Sequence, residues 1–175
     1  MERQLEHEEV TTGKRHFPLV VICEDMVDPL NVGSVFRLAD AMGVEKLYLT
    51  GASVAPSHRK VRRTARSTEK RVAFTLAADK LAILDQLEAQ GYRLIGLEIT
   101  NNSKSLFDCH LPTDKALAIW VGSENVGVSA GVLERLDFCV HIPMQGINSS
   151  MNVVQALGMA LFEWNRQRTQ GQIDH

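Results

Sequence analysis

Apolar runs and amphipathic stretches alternate along this chain, and their order predicts its elements. "PLVVICED" (Pro18 to Asp25) is continuously apolar and β-branched, the pattern of a strand buried on both faces. "MVDPLNVG" follows as a turn-rich loop. "SVFRLADAMG" has helical spacing and stops at Gly43, a residue suited to a left-handed C-cap. "VEKLYLTG" alternates as a second strand, and "VAFTL" is a third after a basic stretch. "AADKLAILDQLEAQG" reads as an amphipathic helix closed by Gly91. "YRLIGLEIT" is a strand, "NNSKSLFDCHLP" a loop and "ALAIWVG" a buried strand. "SENVGVS" is a loop, "AGVLERL" a short helix, "DFCVHIP" the last strand and "NVVQALGMALFEWNRQR" the last helix. Such alternation predicts an α/β fold, a mostly parallel sheet with helices on both faces. Residues 1–16 read as a polar N-terminal arm and 17–170 as one domain.

In sheets of this kind ligands bind beyond the carboxyl ends of the strands. Three polar, glycine-bearing loops fall there: "DPLNVGS", "GSENVGVS" and "IPMQGINSSMN". The third holds more hydrogen-bonding groups than a helix cap needs.

Composition narrows the class. The chain has 175 residues, 45% hydrophobic and 23% charged, as in a soluble globular domain. Its longest apolar runs are too short to cross a bilayer, and its acidic start, "MERQLEHEEV", is not a signal peptide. Cys23, Cys109 and Cys139 are odd in number and form no C-x-x-C, which fits reduced thiols in the cytoplasm and no metal site. Net charge is -2, yet "HRKVRRTARSTEKR" carries Arg59, Lys60, Arg62, Arg63, Arg66, Lys70 and Arg71 against Glu69 alone. Either this is a solvated surface helix, the usual reading of a basic run, or it is a phosphate-binding face; the shortage of interleaved acids brings the two readings close to level.

Common nucleotide motifs are absent: there is no G-x-x-x-x-G-K-[ST] and no G-x-G-x-x-G. One G-x-S-x-G occurs, "GVSAG", Gly127 to Gly131. A hydrolase would need Ser129 on a tight strand-to-helix turn, whereas here a loop intervenes. Ser129 is better read as the N-cap of "AGVLERL".

Taken in order, the three loops resemble the motifs of the SpoU (TrmH-like) branch of the SPOUT RNA 2'-O-ribose methyltransferases. "DPLNVGSVFRLADAMGV" resembles the first, with its Asn-x-Gly and downstream Arg. "WVGSENVGVS" resembles the second, with Asn125 in place of the usual glycine. "IPMQGINSSMNVVQALGMALFEW" resembles the third, with Met151 between Ser150 and Asn152 where leucine is usual. The resemblance runs from about Pro18 to Arg168. It implies a C-terminal deep trefoil knot, S-adenosyl-L-methionine as cofactor, RNA as substrate and a homodimer. A compact chain without a separate RNA-binding domain leans toward tRNA over rRNA.

The resemblance also implies roles. Arg37 is its catalytic arginine. A guanidinium stays protonated below a pH of about 12, so holding an RNA phosphate and polarising the 2'-hydroxyl suits it better than acting as a base; its plainer reading is an arginine reaching solvent. Asn31 belongs near the catalytic centre, or simply caps the first helix. Glu124 binds Arg37 or RNA, or steadies a neighbouring subunit's loop. Ser150 and Asn152 face the sulfonium end of the cofactor and also suit a helix cap. Gly122, Ile142 and Met151 line the adenosyl site, with Leu97, Glu98, Ile99 and Met144 nearby; core packing is the plainer role of Ile142 and Met144. RNA crosses Arg59, Lys60, Arg62, Arg63 and Arg66. Two other readings compete: a non-catalytic RNA-binding protein retaining the fold, and a serine hydrolase acting through Ser129.

Overall fold

The computed structural model describes residues 3, 4, 9 and 17–171. Most of the expected N-terminal arm therefore lies outside the described residues.

Seven parallel strands form one sheet in the order β3-β2-β1-β6-β4-β7-β5. They are β1 (Phe17–Glu24), β2 (Val44–Thr50), β3 (Ala73–Ala77), β4 (Arg93–Leu97), β5 (Lys104–Ser105), β6 (Leu117–Val121) and β7 (Phe138–His141). The helices are α1 (Pro29–Met42), α2 (Arg59–Ala65), α3 (Lys80–Ala89), α4 (Ala130–Leu133) and α5 (Val153–Gly171). Alternate residues of β1 enter different cores, which explains its unbroken apolar run. Leu19, Val21 and Cys23 meet α1, α2 and α5 through Phe36, Val61 and Trp164. Val20 and Ile22 meet α3 and α4 through Leu84 and Val132. The expected sheet, covered on both faces, is present.

Three local expectations need correction. α1 starts at Pro29, inside the expected loop, because Asp28 Oδ1 accepts from Leu30 N (2.9 Å) and proline occupies the first turn, where no N–H is needed. Asn31 is thus not the cap, and Asn31-x-Gly33 is helix rather than turn. "NNSKSLFDCHLP" contains the two-residue β5, which pairs with β7 at the sheet edge. Ser129 does sit at the N-cap of α4, but its hydroxyl makes no cap bond; its buried Oγ has no partner among the described residues.

Gly33 is where α1 and α2 meet. A Cβ there would lie 2.7 Å from Thr64 Cβ and 2.8 Å from Val61 O. Close approach of the two helices therefore requires glycine.

A candidate cofactor and catalytic site at the carboxyl ends of the strands

β1 and β6 are neighbours, and the loops that leave their carboxyl ends part there: β1 leads to β2 on one side, while β6 borders β4 on the other. This is the switch point at which open α/β sheets bind ligands. All three polar loops reach it, and one side chain from each meets the others. Asn152 Nδ2 donates to Asn31 Oδ1 (3.1 Å) and to Glu124 Oε1 (2.6 Å). Asn152 also caps α5: its Oδ1 accepts from Val154 N (2.9 Å). Capping and site-building therefore coexist in one residue, which answers the surplus of polar groups in the third loop.

Below this cluster lies a cavity of about 660 Å³. All seven residues expected around the adenosyl group line it: Leu97, Glu98, Ile99, Gly122, Ile142, Met144 and Met151. Glu124, Ser150 and Asn152 complete its polar side. Arg37 does not line it. Arg37 stands exposed on α1, one turn beyond Gly33, with no hydrogen bond or ion pair among the described residues. Side chains on a helix lean toward its N-terminus, which carries Arg37 toward the same end of the sheet.

Gly122 fixes the shape of the cavity. A Cβ at this position would stand 2.0 Å from the Gly127 carbonyl carbon and 2.3 Å from Val128 N. The 123–128 loop folds directly over it, closed by Gly127 N to Ser123 O (2.8 Å) with Gly127 at φ 72°. Two carboxylates hold the far side of this loop. Glu98 Oε2 accepts from Val128 N (3.0 Å), while its Oε1 accepts from Ile99 N (2.9 Å). Glu24, 1% exposed, pairs with Lys80, accepts from Trp120 Nε1 (2.9 Å) and lies 3.4 Å from Ser129 N. Glu98 therefore serves the loop as well as the cavity. Glu24 carries one faint signal in the sequence, an acid at the carboxyl end of an apolar strand. The Cys139 thiol is raised from its ordinary value, first by burial and then by the charge of Glu98.

Ser129 has no catalytic partners. Asp137 is paired with Arg93 (2.8 Å) and accepts from Leu94 N (2.8 Å), and His141 Nδ1 meets Ser103 Oγ (3.0 Å). A serine–histidine–acid relay is not assembled.

Arg59, Lys60, Arg62, Arg63 and Arg66 lie on or next to α2, outside the cavity wall. All five are exposed and none forms an ion pair among the described residues. A helix stabilised only as a solvated surface would be expected to pair some of them. No helix among the described residues is long and apolar enough to cross a membrane.

Known proteins are similar to this chain in sequence and fold. The 23S rRNA (guanosine-2'-O-)-methyltransferase RlmB of Neisseria meningitidis serogroup B is 33% identical over 162 residues, 92% of this chain and 63% of that protein. The chain thus spans less than two thirds of that relative's length. The SpoU methyltransferase AviRb from Streptomyces viridochromogenes superposes with a TM-score of 0.80 at 26% identity, over 87% of this chain and 60% of that one; AviRb has also been solved in complex with the cofactor AdoMet. A structure described as giving insights into the 2-OH methylation of C/U34 on tRNA superposes with a TM-score of 0.77 at 27% identity, over 88% of this chain and 99% of that one. The model of the SpoU rRNA methylase family matches residues 18–162, covering all three loops and both sides of the cavity, and the chain belongs to that family.

Proposed function

We propose that this chain is an S-adenosyl-L-methionine-dependent RNA ribose 2'-O-methyltransferase acting on tRNA. The observation that carries the reading is the meeting of Asn31, Glu124 and Asn152 at the rim of the 660 Å³ cavity.

The cavity suits the cofactor. Its volume falls in the range of small-molecule sites. Leu97, Ile142, Met144 and Met151 offer apolar walls for an adenosyl group, and Gly122 lets backbone come close. The cofactor supplies a methyl group already activated on sulfur. The protein's tasks are then to orient the 2'-hydroxyl and take up its proton. Asn31, Asn152, Glu124 and Ser150 border the site where the two substrates meet. Arg37, a guanidinium without an ion-pair partner among the described residues, holds a phosphate of the RNA beside the hydroxyl. The five cations around α2, without ion pairs among the described residues, hold further phosphates. Gly33 docks that helix against the one carrying Arg37.

Three finer points belong to the same reading. The tRNA preference draws on the neighbour described through tRNA methylation, which aligns over 99% of its chain. Residues 17–170 form a single SPOUT domain with a deep trefoil knot. In support of the knot, β6 runs between β1 and β4, β7 lies outside β4, and after 142–152 the chain comes back to pack α5 on α1 and β4. The chain works as a homodimer. In support of this, Phe107 (73% exposed), Phe162 (61%) and Met159 (47%) border an apolar groove of about 680 Å³ along α5.

The test is transfer of labelled methyl from S-adenosylmethionine to RNA from cells lacking this gene, followed by nucleoside mass spectrometry. The expected product is a 2'-O-methyl nucleoside in the tRNA fraction. Label in rRNA alone would overturn the tRNA assignment, and no labelled ribose in any fraction would overturn the activity.

A further inference from the structure

Glu24 is a carboxylate to which methyl transfer, as described above, gives no task. It ends β1, is 1% exposed and does not line the cofactor cavity. Three other elements converge on it. Lys80, the first residue of α3, pairs with its Oε1. Its Oε2 accepts from Trp120 Nε1 on β6 (2.9 Å) and from Ser129 N at the start of α4 (3.4 Å). Stability alone does not explain such a pair. Taking a carboxylate and an ammonium out of water costs much of what their attraction returns, and apolar replacements often leave a fold no less stable.

What the pair does hold is a loop. β6 lies between β1 and β4, and each neighbour sends one carboxylate from its carboxyl end into the segment that follows β6. Glu98, just past β4, accepts from Val128 N (3.0 Å), and Glu24 accepts from the next amide, Ser129 N. Two successive amides are thus clasped from the two flanking strands. The loop has no local substitute for this clasp. α4 is only four residues long, Ser129 makes no side-chain cap bond, and its buried Oγ has no partner among the described residues. Just before the clasp, Gly127 lies over Gly122, and Ser123, Glu124, Val126 and Gly127 wall the cofactor cavity. The height of this roof is therefore set from behind, at 128 and 129.

We infer that Glu24, neutralised by Lys80, is a positioning residue for the cofactor: through Ser129 it fixes the 123–128 roof of the cofactor cavity, and it touches neither cofactor nor RNA. The inference rests on the methyl-transfer reading above. A roof free to lift binds S-adenosylmethionine more weakly. A cofactor once seated still reacts, because Asn152 holds Asn31 and Glu124 independently of residues 128 and 129.

Paired substitutions in the full chain separate positioning from general stability. Glu24→Met with Lys80→Met keeps the volume and removes both charges and the acceptor. Glu24→Gln with Lys80→Met removes the same charges and leaves an oxygen for Trp120 and Ser129. The methionine pair should raise the Kd for S-adenosylmethionine, by calorimetry, about tenfold, the scale of one lost hydrogen bond to a charged group. The glutamine pair should bring it back to within about threefold of the native value. In both, kcat at saturating cofactor and RNA should stay within about threefold, a split that a general loss of packing does not produce. Equal Kd values for the two pairs, or a fall in kcat at unchanged Kd, overturns the inference and leaves the methyl-transfer reading standing. If the methionine pair does not fold, Ser129 decides. Ser129→Pro removes the N–H that Glu24 accepts from, at a φ of -66° that proline adopts, and Ser129→Ala retains it. The proline variant should bind S-adenosylmethionine about fivefold more weakly than the alanine variant; equal binding overturns the inference. No methyl transfer by the native chain to any RNA overturns this inference together with the reading it rests on.

Discussion

Arg37 and Cys23 show how little a residue's neighbours in sequence say about its task. Phe36 and Ala39, beside Arg37, are buried, yet Arg37 itself is exposed and has no partner among the described residues. Arg37→Ala should lower kcat by roughly 10²–10³-fold, the usual cost of losing a charge-stabilising donor. The Kd for S-adenosylmethionine, by calorimetry, should hold within about twofold, because Arg37 does not line the cofactor cavity. Equal turnover by the variant would remove Arg37 from the reaction. Cys23 faces the core, and burial pushes its thiol from an ordinary 9.0 up to about 12. Between those values the unfolded chain has released a proton that the folded chain retains. Stability contributed by this group is therefore complete below about pH 9 and is lost as pH rises toward 12. Chemical denaturation at pH 8 and pH 10 should show a lower midpoint at pH 10 for the native chain and a smaller drop for Cys23→Ala. A disulfide-exchange reagent at pH 8 should label Cys23 only after unfolding.

At the scale of elements, period and punctuation made much of the fold legible before any coordinates. β1 and β6 fall within a residue or two of their apolar runs, because strands buried on both faces must be apolar throughout; β2 and β7, which keep polar residues at exposed or part-buried positions, fall as close to their own segments. The start of α1 was not legible, because Asp28 and Pro29 look alike in a turn and at a helix N-terminus. Nor was the reason for Gly33, which is a contact with Thr64 and Val61, some thirty residues away in sequence. That contact ties α1 to the basic helix α2. Replacing Arg59, Arg62 and Arg63 by alanine should weaken RNA binding broadly across sequences. It should also flatten the slope of log affinity against log salt by about 0.7 for each lost single-strand phosphate contact. Filter binding over a salt series reads this directly; an unchanged slope would return α2 to a plain solvated surface.

For the whole molecule, the groove beside α5 is an apolar surface that a single chain leaves open. Phe162→Glu, which sets a charge on that surface, should shift the sedimentation mass from two chains to one. A single-chain mass for the unaltered protein would sink the homodimer. Composition and spacing by themselves determined the α/β class, the order of most elements and the three loops that carry the site, since these depend on local periodicity and turn chemistry. The seven residues expected around the adenosyl group share one cavity wall because each belongs to a strand end or to a loop that the parallel sheet collects at one edge. Only the tertiary structure decided that Asn31, Glu124 and Asn152 are one hydrogen-bonded unit and that Glu24 and Glu98 hold the loop over Gly122. Those contacts join residues from 28 to 121 positions apart. No local pattern encodes such pairs; they form when both faces of the sheet are buried and the strand order fixes which loops become neighbours.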